Sequence, residues 1–228
     1  MPLFTSKLFK LVPKDLLVNI KSSINRVIMN FLSIDCSTDL GSLFIKVENK
    51  TYNKILQSEN SNDLLMKRIL DFFNENDLNF SDISEILVNQ GPGNFSALRS
   101  SLAIAKGISL ARNLKLFGYN TFLWSCIKFF NKQNIIFSLT KYREKYFIKK
   151  FDKNLVSNTK VEEITKEEIT KKYNNNFKVI TTRVAKYFDD EILKLNNLNV
   201  VTLDHKELEF LRLRDLLEKS LIRPMYLS

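Results

Sequence analysis

Glycine and histidine are scarce in this chain, and their scarcity excludes several kinds of functional site. Of 228 residues, 5 are glycine and 1, His205, is histidine. A metal site built from several histidines is therefore impossible, and a Ser-His-Asp triad would depend on His205 alone. Because the chain has no Gly-x-Ser-x-Gly turn, we expect His205 to cap a helix at the surface. We predict no catalytic residue and no metal site.

Cysteine is also scarce, and long apolar runs are absent from the sequence. Cys36 and Cys126 are the only cysteines and lie far apart among apolar residues, which is typical of free thiols in a reducing compartment. No apolar run is long enough to cross a bilayer. We therefore expect a cytoplasmic protein with no membrane partner.

Acidic residues are outnumbered by basic ones, 25 to 35, which gives a formal net charge of +10. This excess is compatible with nucleic acid, acidic lipid or an acidic protein as a partner. Basic and aromatic residues also alternate over Lys141–Phe147, as they do on RNA-binding surfaces and on half-exposed edge strands. A basic RNA-binding module that acts alone is therefore one alternative function.

Composition and pattern divide the chain into three parts. Residues 1–28 carry five basic side chains and one acid, so they are an extension without stable order, an amphipathic or targeting segment, or residues upstream of a true start at Met29. Residues 29–119 form a first α/β lobe and residues 120–228 a second, smaller one. The two lobes have a similar order of elements, which suggests duplicated units.

Hydrophobic periodicity predicts the elements of each lobe. In the first lobe we expect a hairpin of strands Phe31–Cys36 and Leu43–Val47, a helix over Asn62–Phe73 that opens at Asn60-Ser61, and a strand at Ile86–Val88. The apolar side of that helix is predicted to include Leu64, Leu65, Ile69, Leu70 and Phe73. In the second lobe we expect strands at 135–139, 145–151, 177–181 and 200–203, and helices at 162–173, 184–195 and 207–221.

The segment 88–113 holds three of the five glycines, and the rest of the chain is organised around it. A strand end leads into Gly91-Pro92-Gly93, which predicts a sharp, stiff turn. Asn94 or Ser96 is placed to cap the long helix that follows.

That helix has a single narrow polar stripe, Arg99, Lys106 and Asn113, and is otherwise small or apolar. A surface helix normally has a much wider polar face, so this one is expected to be covered on two sides. Two alternatives remain open: a buried crossover helix, or a subunit interface at its small flank. The predicted interface residues are Ala97, Ser100, Ala103, Gly107 and Ala111, together with Leu64.

A phosphate site is a further alternative for the region near the glycine turn. Asp35, followed by Ser37 and Thr38, can hold a magnesium–phosphate group or can simply close a hairpin. A small-molecule kinase would also need a glycine loop in the second lobe, and no glycine occurs after Gly118. This absence argues against the kinase alternative.

Three segments resemble the TsaB (YeaZ) family: FLSIDCST resembles its opening ILAIDTST, GPGNFSALRSSLAIAKG its GPGSFTGLR…AKG signature, and RPMYL its closing P-x-Y-L-R. The positions that carry the resemblance are Asp35, Ser37, Thr38, Gly91, Pro92, Gly93, Phe95, Arg99, Lys106, Pro224 and Tyr226. The chain departs from the family where Asn60 replaces His, where Asn94, Ser96 and Ala97 replace Ser, Thr and Gly, and where Leu139-Thr140-Lys141 replaces an Asp-x-Arg stretch.

The resemblance implies a two-lobed, actin/Hsp70-like α/β fold made of duplicated ribonuclease-H-like units. It implies a non-catalytic scaffold in the synthesis of N6-threonylcarbamoyladenosine beside the tRNA anticodon. The implied partners are the catalytic subunit TsaD, bound through the first-lobe helices, and the ATPase TsaE, with tRNA reached through the complex. The isolated chain is expected to bind no cofactor tightly and to form a homodimer, whereas ATP and Mg²⁺ belong to the assembled complex.

Overall fold

Two five-stranded sheets with the same strand order form the framework of the molecule. The structure, a computed structural model, describes residues 29–38, 40–56, 64–220 and 222–227. The expectations for residues 1–28 and for the helix start at Asn60-Ser61 therefore lie outside the described residues.

The first sheet contains β1 (Phe31–Asp35), β2 (Gly41–Val47), β3 (Lys50–Leu56), β4 (Glu85–Asn89) and β5 (Lys115–Tyr119). Its order is β3-β2-β1-β4-β5. The first three strands form an antiparallel meander, and β1, β4 and β5 run parallel. The predicted hairpin is confirmed, whereas β3 and β5 were not predicted.

The second sheet contains β6 (Ile135–Tyr142), β7 (Lys145–Asp152), β8 (Glu162–Ile164), β9 (Lys178–Thr181) and β10 (Leu198–Val201). Here too the first three strands pair antiparallel, while β6, β9 and β10 run parallel in the order β10-β9-β6-β7-β8. The topology of the first lobe is thus repeated. The predicted two-lobed α/β fold with duplicated units is confirmed.

The α-helices of the described residues are α1 (Leu65–Asn74), α2 (Phe95–Arg112), α3 (Thr121–Cys126), α4 (Thr182–Ala185), α5 (Asp190–Leu193) and α6 (Leu208–Leu213). Short 3₁₀ turns lie at Phe80–Asp82, Ile127–Phe129 and His205–Glu207, and a π-helical turn at Glu168–Lys172. Long helices therefore flank the first sheet, whereas the second lobe has only short ones.

Helices α1 and α2 cover one face of the first sheet with an apolar side each. Leu65, Ile69, Phe72 and Phe73 are the buried residues of α1. Leu64 and Leu70, which were predicted on this apolar side, instead point outward and are 44% and 41% exposed. That part of the prediction was wrong, because α1 turns a narrower face to the sheet than the run of leucines suggests.

A second apolar core lies between the two lobes. It joins Phe31, Phe44 and Leu87 of the first sheet to Phe147 and Val179 of the second. Helix α3, whose residues Phe122–Cys126 are all buried, runs through this core and connects the lobes. The lobes therefore share an extensive apolar contact.

Of the three helices predicted in the second half, one is wrong and two are broken or shorter than predicted. Residues 162–173 form β8 and a π-helical turn, because Ile164 pairs with Tyr146 of β7. The helix predicted over 184–195 is broken into α4 and α5 where Asp189 takes an extended conformation and pairs with Lys166. Helix α6 ends at Leu213, before Asp215 in the left-handed region.

The C-terminal segment returns to the first lobe. The Glu218 and Gly118 backbones exchange hydrogen bonds of 2.9 and 2.8 Å along the outer edge of β5. The Met225 N–H donates to the Gln90 carbonyl at 2.6 Å. This segment lies beside the glycine turn and covers part of an otherwise open sheet edge.

Candidate functional site: a closed cleft and an exposed helix face

The glycine turn lies directly against the loop that follows β1. A Cβ atom on Gly93 would be 1.8 Å from the Ser37 carbonyl oxygen, so only glycine fits there. Gly91 has a φ of +105°, in the left-handed region, and is joined to Pro92 by a cis peptide bond. The two glycines thus permit a close backbone contact between the loops after β1 and β4.

Asp35 ends β1 and is completely buried at this contact. Its Oδ1 accepts hydrogen bonds from the Ser37 N–H at 3.0 Å, the Ser37 Oγ at 2.7 Å and the Asn89 Nδ2 at 2.9 Å. Its Oδ2 forms an ion pair with the Arg183 guanidinium. Burial alone would raise the pKa of Asp35, but the Arg183 charge and the other neighbours hold that pKa below its ordinary value.

Arg183 comes from α4 of the second lobe, so the ion pair spans the cleft between the lobes. Its Nη2 also lies 3.4 Å from the Ser42 Oγ of β2. The guanidinium carbon lies 5.9 Å from the ring centre of Trp124 in α3. Arg183 thus places a positive charge from the second lobe directly beside the buried Asp35 carboxylate.

His205 forms a second connection across the cleft, and its predicted surface position is wrong. The side chain is 6% exposed. Its Nδ1 lies 2.9 Å from the Ser33 Oγ, and its Nε2 lies 2.8 Å from the Ser42 Oγ. Burial lowers the pKa of His205 to about 4, so the imidazole is neutral at pH 7. The residue begins a 3₁₀ turn packed against β1 and β2 rather than an exposed helix.

A small cavity of about 10 Å³ remains between the lobes. Pro92, Thr121, Phe122, Ser138, Leu139, Thr140 and Thr181 line it. The Thr181 hydroxyl is buried and has no hydrogen-bond partner among the described residues. The cavity matches one water molecule in size. This cavity is much smaller than a nucleotide, and the Asp35 carboxylate is already paired with Arg183.

Helix α2 has one buried side and one open side. Asn94 is its N-cap and accepts hydrogen bonds from the Ser96 and Ala97 N–H groups. Of the two predicted capping residues, Asn94 and Ser96, the structure therefore uses Asn94. Leu98, Ser101, Leu102, Ala105 and Ile108 are buried against the first lobe. Leu110 on the opposite side is 84% exposed. A Cβ atom on Gly107 would meet no atom within 4 Å.

Comparison with known proteins finds sequence similarity over part of the chain. The model of the family described as "TsaD: tRNA N6-adenosine threonylcarbamoyltransferase" matches residues 47–135. The tRNA threonylcarbamoyladenosine biosynthesis protein TsaB of Buchnera aphidicola subsp. Baizongia pistaciae (strain Bp) is 33% identical over 89 residues. That match spans 39% of this chain and 40% of the relative's length.

Solved structures match over nearly the whole molecule. YeaZ from Pseudomonas aeruginosa superposes with a TM-score of 0.64 at 15% identity, covering 87% of this chain and all of that one (100%). A Pseudomonas aeruginosa protein described as similar to peptidase YEAZ gives 0.65 at 14% identity, covering 88% of this chain and 100% of that chain. The chain therefore shares the fold of the YeaZ structures, and its sequence similarity to a TsaB protein is limited to the 89 matched residues. No helix in the described part of the chain is long and apolar enough to span a membrane.

Most of the residues that carry the resemblance to the TsaB family lie in two groups in the structure. The first group surrounds Asp35, with Ser37 bonded to its carboxylate, while the Thr38 Oγ1 donates to the Leu40 carbonyl at 3.1 Å and closes the loop. The second group lies at the start of α2, where the Phe95 and Tyr226 rings stack with centres 4.8 Å apart. Pro224 precedes the Met225 backbone contact, so the tail and the glycine turn form one unit.

The predicted interface residues share one outward side of the first lobe. Ala103, Gly107 and Ala111 are exposed, and Ala97 and Ser100 are partly exposed. Leu64 is the residue directly before helix α1, which packs beside α2 in the same layer. The sequence left two alternatives for α2, a buried crossover helix and a subunit interface. One side of α2 is buried against the first lobe, and its other side is open and available for an interface.

Sequence reasoning missed Arg183, Asn89 and Ser42 as residues of the cleft. A signal for two of them was present, because Asn89 ends β4 and Arg183 lies two residues after the end of β9. In α/β folds, clefts form at the carboxyl ends of parallel strands. Polar residues placed directly after predicted parallel strands were therefore the candidates to examine.

Proposed function

We propose that this chain is a non-catalytic scaffold subunit in the synthesis of N6-threonylcarbamoyladenosine on tRNA, at the adenosine next to the anticodon. It binds the catalytic subunit TsaD and keeps it in an active conformation. The 33% identity to a TsaB protein over 89 residues supports this assignment, and so does the match of a TsaD family model to residues 47–135.

The cleft supports a role without catalysis. Asp35 is the acid that could hold a magnesium–phosphate group in the kinase alternative, and here it is paired with Arg183 and buried. Among the described residues, no three His, Cys, Asp or Glu side chains lie close enough together to hold a metal ion. In our proposal, ATP and Mg²⁺ act on other subunits of the complex, which include the ATPase TsaE, and tRNA is bound by the complex.

The open side of α2 is the observation that carries the proposal. Leucine is rarely exposed as fully as Leu110, at 84%, and glycine weakens a helix by about 1 kcal/mol relative to alanine. Gly107 meets no other atom on its open side, so nothing within the described residues accounts for this cost. A partner helix that packs closely against this side would account for both residues.

The test is co-purification with TsaD and TsaE from the same organism. In Ala103→Trp and Gly107→Trp, a large side chain projects from the open side without displacing any neighbour in the chain, so both variants should fold and fail to bind TsaD. Lys160→Trp, an equally large change at an exposed loop position of the second lobe, is the matched control and should bind normally. Normal binding by both α2 variants, or no binding by the wild-type chain, would contradict the proposal.

A further inference from the structure

The open side of α2 is cationic as well as apolar. Phe95, Arg99, Ala103, Lys106 and Leu110 follow one another at intervals of three or four residues, which places them in one line along the helix. Arg99 and Lys106 are both exposed. We call this line of five residues the α2 face.

No acidic residue is available near the α2 face in sequence. The chain contains no Asp or Glu between Glu85 and Glu144, and Glu85 is buried in an ion pair with Arg212. The adjacent helix α1 adds Lys67 and Arg68 against a single acid, Asp71, which is partly buried. The layer formed by α1 and α2 is therefore positively charged overall.

The two central cations of the α2 face have no carboxylate partner within the described part of the chain. Every salt bridge there joins other residues. Arg99 does contact one ring: its guanidinium carbon lies 5.2 Å from the centre of Phe95. Its charge remains uncompensated, as does that of Lys106.

From this arrangement we infer that the α2 face selects a partner protein with acidic side chains opposite Arg99 and Lys106, and that it disfavours pairing with a second copy of itself. The identity of that partner as TsaD rests on the proposed function. Two copies joined through this face would bring four cations into one interface, and like charges placed together there are destabilising. The homodimer expected from the family resemblance should therefore be weak at low ionic strength.

Apolar residues at the two ends of the α2 face favour a protein over RNA as the occupant. Leu110 is 84% exposed and Phe95 is 50% exposed. Protein–protein interfaces commonly combine aromatic and apolar side chains with arginine. A phosphate backbone would neutralise Arg99 and Lys106 but would leave Leu110 in water.

The inference predicts opposite salt effects on the two kinds of association. Salt screens attraction between Arg99, Lys106 and an acidic partner, so binding to TsaD should weaken as ionic strength rises. Salt also screens repulsion between two copies, so self-association should strengthen. Sedimentation velocity and binding titrations at about 0.05 M and about 0.5 M salt measure both.

The variant that tests the inference is Arg99→Gln combined with Lys106→Gln. Both side chains are exposed, so the chain should fold. At low salt it should dimerise about tenfold more tightly than the wild type and bind TsaD about tenfold more weakly, with little remaining salt dependence. Lys150→Gln combined with Lys160→Gln removes the same charge from exposed positions of the second lobe and should behave as wild type.

Three outcomes distinguish failure of the inference from failure of the proposed function. Equal TsaD affinity for wild type and double variant at both salt concentrations overturns the inference and leaves the proposed function standing. Loss of tRNA binding in the variant with unchanged TsaD affinity assigns the face to RNA and also overturns it. If wild type binds no TsaD at any salt concentration, the proposed function fails, and the self-association measurement, which needs only this chain, still decides whether the cations oppose pairing.

Discussion

At the scale of single residues, Gly93 and Gly107 have opposite surroundings, and the same substitution should change stability in opposite directions. In Gly93→Ala the new Cβ would lie 1.8 Å from a Ser37 backbone oxygen, which cannot move without shifting the loop after β1. We expect a loss of about 2 kcal/mol or more in the free energy of unfolding.

Gly107→Ala is the matched comparison. The new methyl group meets nothing within 4 Å, and alanine is the better helix former, so this variant should gain up to about 1 kcal/mol. Urea unfolding of both variants measures the two changes. A stabilised Gly93→Ala, or a destabilised Gly107→Ala, would show that the surroundings of these positions differ from those described.

Protonation of His205 should destabilise the protein at mildly acidic pH. The folded-state pKa is about 4, below the ordinary value of 6.5, because the ring is buried. As the pH falls from about 6.5 to about 4, the unfolded chain therefore takes up a proton before the folded chain does. The resulting loss in the free energy of unfolding is about 3 kcal/mol over this range, and it is absent above it.

His205→Gln is the control for this prediction, because an amide can still bond to a serine hydroxyl but does not titrate. We expect the variant to be less stable at pH 7 and to show a flatter pH dependence between about 6.5 and 4.5, above the range of most carboxylates. Proton NMR of this single histidine gives its pKa directly. An ordinary pKa near 6.5 would contradict the buried, neutral state.

At the scale of elements, the ion pair that joins α4 to β1 should stabilise the closed cleft. Arg183→Ala would leave the Asp35 carboxylate buried without its counter-charge, and such changes typically cost about 3 kcal/mol. In that variant burial would act on Asp35 unopposed by Arg183 and raise its pKa. The stability deficit should therefore shrink as the pH is lowered and Asp35 becomes protonated.

Arg183→Ala combined with Asp35→Asn separates the charge from the packing. The neutral amide needs no counter-charge, so the double variant should recover part of the stability lost in Arg183→Ala. Thermal unfolding of the wild type, both single variants and the double variant gives the coupling energy. Additive losses would mean that the two side chains do not interact.

The success of sequence prediction differed between elements for physical reasons. The strands β1, β2, β4, β6, β7 and β9 are apolar because they lie inside the sheets, and that pattern is visible in the sequence. Strand β3 is an edge strand with a largely exposed polar sequence, KTYNKIL, and was missed. The Lys- and Glu-rich segment 162–173 favours a helix locally, but pairing of β8 with β7 overrides that preference.

At the scale of the whole molecule, the repeated topology could be anticipated from the similar order of elements, whereas the closed cleft could not. Closure depends on Arg183 and His205, which lie 148 and 172 residues from their partners Asp35 and Ser33. No local pattern encodes contacts at such separations. His205 in particular lies in a polar stretch, Asp204–Glu207, that resembles a surface helix start.

The closed cleft predicts that the isolated chain does not bind magnesium–ATP. The cavity between the lobes has a volume of about 10 Å³. To open the cleft, the Asp35–Arg183 ion pair and the hydrogen bonds of His205 to Ser33 and Ser42 would have to break. Binding would therefore have to offset the loss of a buried ion pair before any contact with the nucleotide was gained.

Calorimetric titration and thermal unfolding with magnesium–ATP test this prediction together. We expect no heat of binding and no rise in the unfolding temperature. A ligand at about 100 times its Kd would stabilise the folded state by about 2.7 kcal/mol, so binding would be easy to detect. A clear rise would support the kinase alternative for this fold. Arg183→Ala removes the guanidinium beside Asp35. A rise in the unfolding temperature seen only in that variant would instead identify Arg183 as the group that excludes the nucleotide.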